Sequence, residues 1–248
     1  MMLLIDIGNS RVKWAWAAGD ALSEQQSLPH SGAVDRAWLE AVKRDRGRPD
    51  RVVISNVAGA RMADALNDLL AREFHVQPDF ARVTATAAGV SCAYSDLRQL
   101  GVDRWLGVLG AWQRARRAAC VINSGTATTV DAVDDHGRHL GGLIIPGLGL
   151  MEDSLLKRTS DIARAVDPLM QARAELFSDN TADAVRNGAA FATAAVAERA
   201  VTELERRNGR EPLLLVTGGN AARVAACLLG GHEIVPDLVL QGLAAWAR

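Results

Sequence analysis

The sequence predicts an α/β fold of two duplicated lobes, and three observations carry that prediction. Short apolar runs alternate with helix-periodic segments: residues 51–57 read as a buried strand, followed by Met62, Leu66, Leu69 and Leu70 at helical spacing. A hairpin pattern of apolar strand, polar residue, any residue, glycine and small polar side chains occurs twice. It spans residues 3–14 and 121–131, with Asp6 matching Asn123 and Gly8 matching Gly125. The third observation is the run 213–217, which passes through Gly218-Gly219 into a helix, a turn where backbone can meet a nucleotide. Such alternation implies a parallel or mixed sheet with ligands at the carboxyl ends of its strands. Residues 1–116 are assigned to the N-terminal lobe and residues 117–248 to the C-terminal lobe.

Composition narrows the class. The 248 residues are 49% hydrophobic and 23% charged with a net charge of −1, the profile of a soluble globular protein with ample core. No stripe of Lys and Arg stands out, and the run 114–117 reads as a solvated helix end, so no nucleic-acid partner is expected. Cys92, Cys120 and Cys227 are odd in number and lack metal-ligand spacing, which suits buried thiols in a reducing compartment. No signal-length apolar run follows a basic start, because Asp6 interrupts it, and no stretch reaches membrane-spanning length. A cytoplasmic protein with no membrane partner is expected.

In the first hairpin, residues 2–5 are branched and apolar like a central strand, and Gly8-Asn9-Ser10 is turn chemistry because Gly and Asn tolerate positive φ. Asp6, at the strand's end, has two uses: accepting turn hydrogen bonds, or holding Mg²⁺ near phosphates to which loop N–H groups also point. Gly19-Asp20 marks a turn, and residues 33–46 read as a helix with Trp38, Leu39 and Val42 on one face. Ser55 and Asn56 end the next strand, where they either touch a ligand or cap the following helix.

Residues 94–112 are the second informative stretch. A helix begins near Asp103, with Val102, Trp105, Leu106, Leu109 and Trp112 as its apolar face. Asp103 complements the helix dipole in the first turn, whereas Arg104 does not. An Arg there could clamp a carboxylate bidentately while the neighbouring Asp accepts a proton from an attacking hydroxyl. The structural alternative makes Asp103 the N-cap and pairs Arg104 at the surface.

In the second lobe, glycines around an apolar strand at 141–150 imply close backbone approach. A helix is expected from Met151, and residues 179–183 form a loop and cap before an Ala-rich helix reaching about Arg207. Thr181 either caps that helix or turns its hydroxyl toward a ligand. The small residues from Gly188 to Ala197 suit close packing against another helix, such as a homodimer seam. A last helix spans 237–246, and the five histidines show neither metal-ligand spacing nor a triad arrangement.

In order and spacing, Asp6-Ile7-Gly8-Asn9-Ser10, Gly101-Val102-Asp103-Arg104, the segment 124–131, Asn180-Thr181 and Thr217-Gly218-Gly219-Asn220 resemble type III pantothenate kinase. The resemblance spans nearly the whole chain, and the Gly-x-Asp-Arg element between two phosphate hairpins is its most specific part. It implies two ribonuclease-H-like lobes in an actin-like ATPase fold with a nucleotide cleft between them, as in acetate and sugar kinases, actin and Hsp70. It also implies a homodimer that phosphorylates the primary hydroxyl of pantothenate with ATP and Mg²⁺, the first step toward coenzyme A. On this resemblance Asp6, Ile7, Gly8, Asn9, Ser10, Arg11, Val12 and Lys13 hold the ATP phosphates and Mg²⁺, and Thr126 holds phosphate from the other lobe. Asp103 is the general base. Tyr94, Gly101, Val102 and Arg104 hold the substrate, and Thr181 completes the pocket from the partner subunit. Members of the family commonly carry Asp at the position of Asn123, where it ligates an activating potassium or ammonium ion. Asn supplies a carbonyl oxygen but no charge, so a weaker cation site is expected. Rival readings are a kinase of the same superfamily acting on another small molecule, and a non-catalytic nucleotide-binding regulator.

Overall fold

The computed structural model describes residues 1–30, 32, 36–158 and 174–248, which divide into two compact units: Met1–Arg114 with Asp237–Arg248, and Ala115–Pro236. The expected helix start at residues 33–35 lies outside the described residues.

The first unit is built on β1 (Met2–Ile7), which pairs antiparallel with β2 (Arg11–Ala18) and parallel with β5 (Arg51–Asn56). Short strands β3 (Ala21–Leu22) and β4 (Gln26–Pro29) extend β2, and β6 (Asp79–Phe80) lies beyond β5. Helices cover both faces, which is why β1 is almost continuously apolar rather than alternating. Leu3, Ile5 and Ile7 enter a core with Trp14, Trp16, Trp38 and Val42, the last two from α1 (Arg36–Arg46), and with Met62, Leu66 and Leu70 from α2 (Ala60–Phe74). Trp14 and Trp38 meet edge to face, their centroids 6.3 Å apart. Strands β7 (Thr86–Ala87) and β8 (Val90–Ser91) form a small hairpin before α3 (Val102–Ala115).

The second unit repeats this plan. Strand β9 (Ala119–Ser124) pairs antiparallel with β10 (Ala127–Val133) and parallel with β12 (Leu213–Thr217). Strand β11 (His139–Pro146) extends β10, and β13 (Glu233–Ile234) lies beyond β12. Helices α4 (Leu148–Arg158), α5 (Thr181–Asn208) and α6 (Ala221–Ala225) complete it. The duplication extends to register: Asp6 lies opposite Lys13 and Ser55, and Asn123 lies opposite Thr129 and Thr217. Helix α5 is capped by Asn180, whose side chain accepts from Asp183 N, and ends at Gly209 in the left-handed conformation. Capping therefore belongs to Asn180 rather than Thr181. Among the described residues no helix is long and apolar enough to cross a membrane.

The closing helix α7 (Leu238–Trp246) differs from the boundary drawn on the sequence, which placed it in the C-terminal lobe. It packs in the first unit. A Cβ on Gly110 of α3 would lie 2.4 Å from Leu238 O, and one on Gly242 would lie 1.8 Å from Leu106 O, so the two backbones touch at a pair of glycines. Arg51 Nη1 donates to Ala247 O at 2.8 Å and Trp246 Nε1 to Arg82 O at 3.0 Å, fastening the chain end. Because α3 carries Asp103 and Arg104, this crossing sets where they stand. Gly242→Ala is expected to cost about 1–3 kcal/mol of stability by overpacking, read in a denaturant unfolding curve. An unchanged midpoint would show that the crossing has slack.

Candidate functional site

The first hairpin does not use the left-handed turn that its composition suggests. Neither Gly8 nor Asn9 has positive φ. Four residues, Gly8 to Arg11, separate the closing pair Ile7 and Val12, and Gly8 N donates to Arg11 O at 3.0 Å. A loop of that length closes without the mirror-image turns of two-residue hairpins. Asn9, Ser10 and Arg11 are exposed, whereas the side chains of Ile7 and Val12 are core, so those two residues can serve a ligand only through their backbone. Arg11 Nε donates to Ser27 Oγ at 2.8 Å.

Asp6 is 6% exposed and lies in register between Lys13 and Ser55. Ser55 Oγ donates to Asp6 Oδ1 at 2.9 Å. Neither Ser55 nor Asn56 caps α2, whose N-cap is Gly59 with no side-chain cap bond; Ser55 supports Asp6, and Asn56 turns the chain toward the helix, its Oδ1 accepting from Ala58 N and its Nδ2 donating to Gly59 O. Burial pushes the Asp6 carboxyl up from 3.8 to about 6. Lys13 opposes this, the negative charge of Asp103 adds to it, and the Ser55 hydrogen bond lowers it. Such a carboxylate gains from a cation. No group of three or more His, Cys, Asp or Glu among the described residues is arranged to hold a metal. One buried carboxylate beside an exposed glycine-containing loop is a donor set that suits Mg²⁺ only where phosphates and water supply the other ligands.

The second carboxylate is at the start of α3. The helix begins at Val102 and Trp105 N donates to Gly101 O, so Asp103 sits in the first turn and is not the N-cap. Its Oδ1 accepts from Arg104 N at 2.8 Å. Gly101 makes room for it, because a Cβ there would lie 2.8 Å from Asp103 Oδ1. Arg104 is not a surface residue. It is 6% exposed, its Nη1 donates to Tyr94 Oη at 3.2 Å, and its Cζ stands 5.9 Å from the Tyr94 ring centroid. A buried guanidinium in a first helical turn lacks favourable dipole energy and suits an anionic ligand.

In the second unit Gly125 N donates to Ala127 O at 3.0 Å, and the loop carrying Thr126 is enclosed by backbone. Gly147 N donates to Thr126 O at 3.1 Å and Asn220 N to Ser124 O at 3.0 Å. A Cβ on Gly147 would fall 2.2 Å from Gly125 O. One on Gly218, whose φ is +95°, would fall 2.4 Å from Ser124 O and 2.8 Å from Asn123 Oδ1. The close approach expected around 141–150 is therefore made at Gly147. Thr126 is exposed, and Ser124 and Thr128 share a buried hydroxyl contact of 3.2 Å beneath it. Thr181 is exposed at the N-terminus of α5, at the edge of an open cavity shared with Leu155 and Asn180. Asp6, Lys13, Tyr94, Gly101, Val102, Asp103 and Arg104 thus fall in the first unit, and Asn123, Thr126 and Thr181 in the second.

The geometry offers a buried carboxylate that favours a cation, an exposed loop beside it, and a carboxylate and guanidinium at a helix start. One residue that the sequence does not single out, His30, also closes on the backbone of the first hairpin. Nothing in its spacing could have revealed this, because only the pairing of β4 with β2 brings it there.

The sequence profile of the family described as type III pantothenate kinase matches residues 2–203. A protein named type III pantothenate kinase from Nitrosospira multiformis is 38% identical over 248 residues, covering 100% of this chain and 91% of its own length. One of the same name from Nitrosococcus oceani is 34% identical over 253 residues, covering 100% and 94%. Among solved structures, the activator of 2-hydroxyisocaproyl-CoA dehydratase from Clostridium difficile with bound ADPNP superposes with a TM-score of 0.55 at 16% identity, over 99% of this chain and 95% of that one. A ROK family glucokinase from Streptomyces griseus, in complex with glucose and AMPPNP, gives 0.52 at 11% identity over 98% and 97%. Likeness at such identities concerns the fold, which is that of the actin-like ATPases and sugar kinases.

Proposed function

This chain belongs to the type III pantothenate kinase family, and we propose that it transfers the γ-phosphoryl group of ATP to the primary hydroxyl of pantothenate, giving 4'-phosphopantothenate in the first step of coenzyme A biosynthesis. The observation that carries this reading is the start of α3. There a carboxylate, Asp103, stands beside a buried guanidinium in the same unit as the Asp6 hairpin.

Asp6 through Lys13 and Thr126 bind the nucleotide phosphates, Ile7 and Val12 through their backbone only. Bound Mg²⁺, held by the phosphates and Asp6, supplies positive charge against the charge that builds on the transferred group. Arg104, steadied by Tyr94, takes the pantothenate carboxylate, while Gly101 and Val102 shape the turn beneath it. Asp103 accepts the proton of the attacking hydroxyl. Phosphoryl transfer asks a protein mainly for positioning and charge, which this set provides without a covalent nucleophile. The test is ADP release from ATP and Mg²⁺ with and without pantothenate. Release that requires pantothenate supports the reading. Release with another alcohol alone would make the chain a different small-molecule kinase, and ATP binding without turnover would make it a regulator.

A homodimer accompanies this function, with Thr181 of each copy completing the partner's substrate pocket. Leu143, Ile144, Leu150 and Leu155 are exposed, Ile144 by 64%. A cavity of about 360 Å³ lined by Leu150 and Leu155 runs between α4 and the α5 face bearing Ala184, Gly188 and Ala189. A Cβ on Gly188 would meet nothing within 4 Å, which leaves this side of α5 open to a second helix. Light scattering is expected to give about twice the chain mass of 26.4 kDa, falling to one chain in Ile144→Glu. A monomeric wild-type protein that is fully active would refute the shared pocket.

Asn123 takes the monovalent-cation position, where a neutral carbonyl oxygen binds potassium or ammonium less tightly than a carboxylate. Rate is therefore expected to rise only shallowly with potassium at fixed ionic strength. A steep saturable rise would show a fully formed site. The compartment is the cytoplasm, in keeping with three free cysteines among the described residues.

A further inference from the structure

We propose that His30 is a positioning residue that aims the first phosphate hairpin at the nucleotide. This rests on the phosphate-binding role proposed for Asp6 to Lys13. Strand β4 pairs with β2 so that Pro29 lies opposite Arg11, and His30 N continues the ladder by donating to Ser10 O at 3.0 Å. The imidazole then reaches across the loop. Its Nε2 lies 2.8 Å from Gly8 O, and its Nδ1 lies 3.1 Å from Gly32 N. A carbonyl oxygen only accepts and an amide N–H only donates. The ring therefore carries its proton on Nε2 and presents a lone pair from Nδ1.

The consequence follows from peptide geometry. The chain contains no cis peptide among its described residues, and in a trans peptide the carbonyl of one residue and the N–H of the next point in opposite directions. Holding Gly8 O toward His30 therefore turns Asn9 N–H the other way. It also keeps the negative end of that peptide dipole from swinging toward a phosphate. The loop needs such a restraint, because Gly8 adds backbone freedom while Asn9 and Ser10 are exposed. The hairpin of the second unit is restrained differently, by the backbone of Gly147, Gly218 and Asn220 pressed against it. In the first unit the His30 imidazole, together with the backbone bond from His30 N to Ser10 O, does what the two backbone segments at Gly147 and at Gly218–Asn220 do in the second.

The experiment compares His30→Phe, which keeps ring bulk without a donor, with His30→Gln, whose amide nitrogen can reach the same carbonyl. Calorimetric titration with Mg·ATP is expected to show binding weakened about tenfold in the Phe variant and returned to within about threefold of wild type in the Gln variant. In turnover, KM for ATP is expected to rise in the Phe variant with KM for pantothenate unchanged, a split that general loosening of the fold would not produce. If His30→Phe melts well below wild type, His30→Ala replaces it under the same criteria. Wild-type ATP affinity in the donor-less variant overturns the proposal, as does a Gln variant as weak as Phe, or equal loss for ATP and pantothenate. A wild-type protein that binds Mg·ATP without phosphorylating pantothenate removes the substrate assignment and leaves the His30 comparison intact. One that binds no Mg·ATP removes both.

Discussion

Asp103→Asn is expected to lower kcat for pantothenate phosphorylation by at least about a hundredfold, the low end of what a positioned general base contributes. The substitution keeps the size of the side chain and its contact with the helix backbone, while easing the charge that Asp103 places on Asp6. An Asn Oδ1 can still accept from Arg104 N, as Asp103 does at 2.8 Å, and the amide fits the space left by Gly101. Arg104 keeps its Tyr94 contacts, so KM for pantothenate should move little, and Mg·ATP binding should survive. The loss therefore falls on kcat, the sign of an interaction made in the transition state. A variant retaining more than about a tenth of wild-type kcat would remove Asp103 from the role of base.

Asp6→Asn is expected to make the protein both inactive and more stable. The Asp6 carboxyl is raised from 3.8 to about 6, chiefly by burial. An acid whose folded value lies above its unfolded value holds its proton more tightly in the native state. The contribution of Asp6 to stability is then greatest below pH 3.8 and falls as pH rises through the window to about 6. Above that window the native state bears a cost of about 3 kcal/mol for keeping the carboxylate ionised. An Asn carries no such charge and still accepts from Ser55 Oγ. Its melting temperature at pH 7.5 should exceed wild type by about 5–10 °C, with the gap narrowing toward pH 5. Added Mg·ATP should raise the wild-type melt and leave the variant nearly unmoved, because ligand stabilises only what binds it. Activity should fall at least about a hundredfold, as a group opposing developing charge has been removed. A variant less stable than wild type at pH 7.5 would mean that the carboxylate is compensated within the chain itself. The expected opposition between stability and activity would mark Asp6 as a residue kept for its ligand.

What the sequence determined by itself is local. The strand–glycine–strand pattern at residues 3–14 and 121–131 is legible because hairpin ends are set by neighbours a few positions apart. The start of α3 is legible because an Arg in a first turn conflicts with the helix dipole within a single element. The alternation of strand and helix, the strand at 51–56, the Ala-rich α5 and the order of the motifs are of this kind. Only the tertiary structure decided what depends on segments far apart in the chain. The return of α7 to the first unit rests on Gly110 and Gly242 meeting across 132 positions, a fit of backbone surfaces that neither glycine announces. Ser55 gains its partner because β5 is parallel to β1, and His30 because β4 folds onto β2. The choice between Asn180 and Thr181 as cap, and the ordinary φ of Gly8 and Asn9, turned on single hydrogen bonds and on a loop four residues long. Propensity and periodicity report what a residue prefers among its sequence neighbours. Which distant group it must satisfy once buried is settled only by packing.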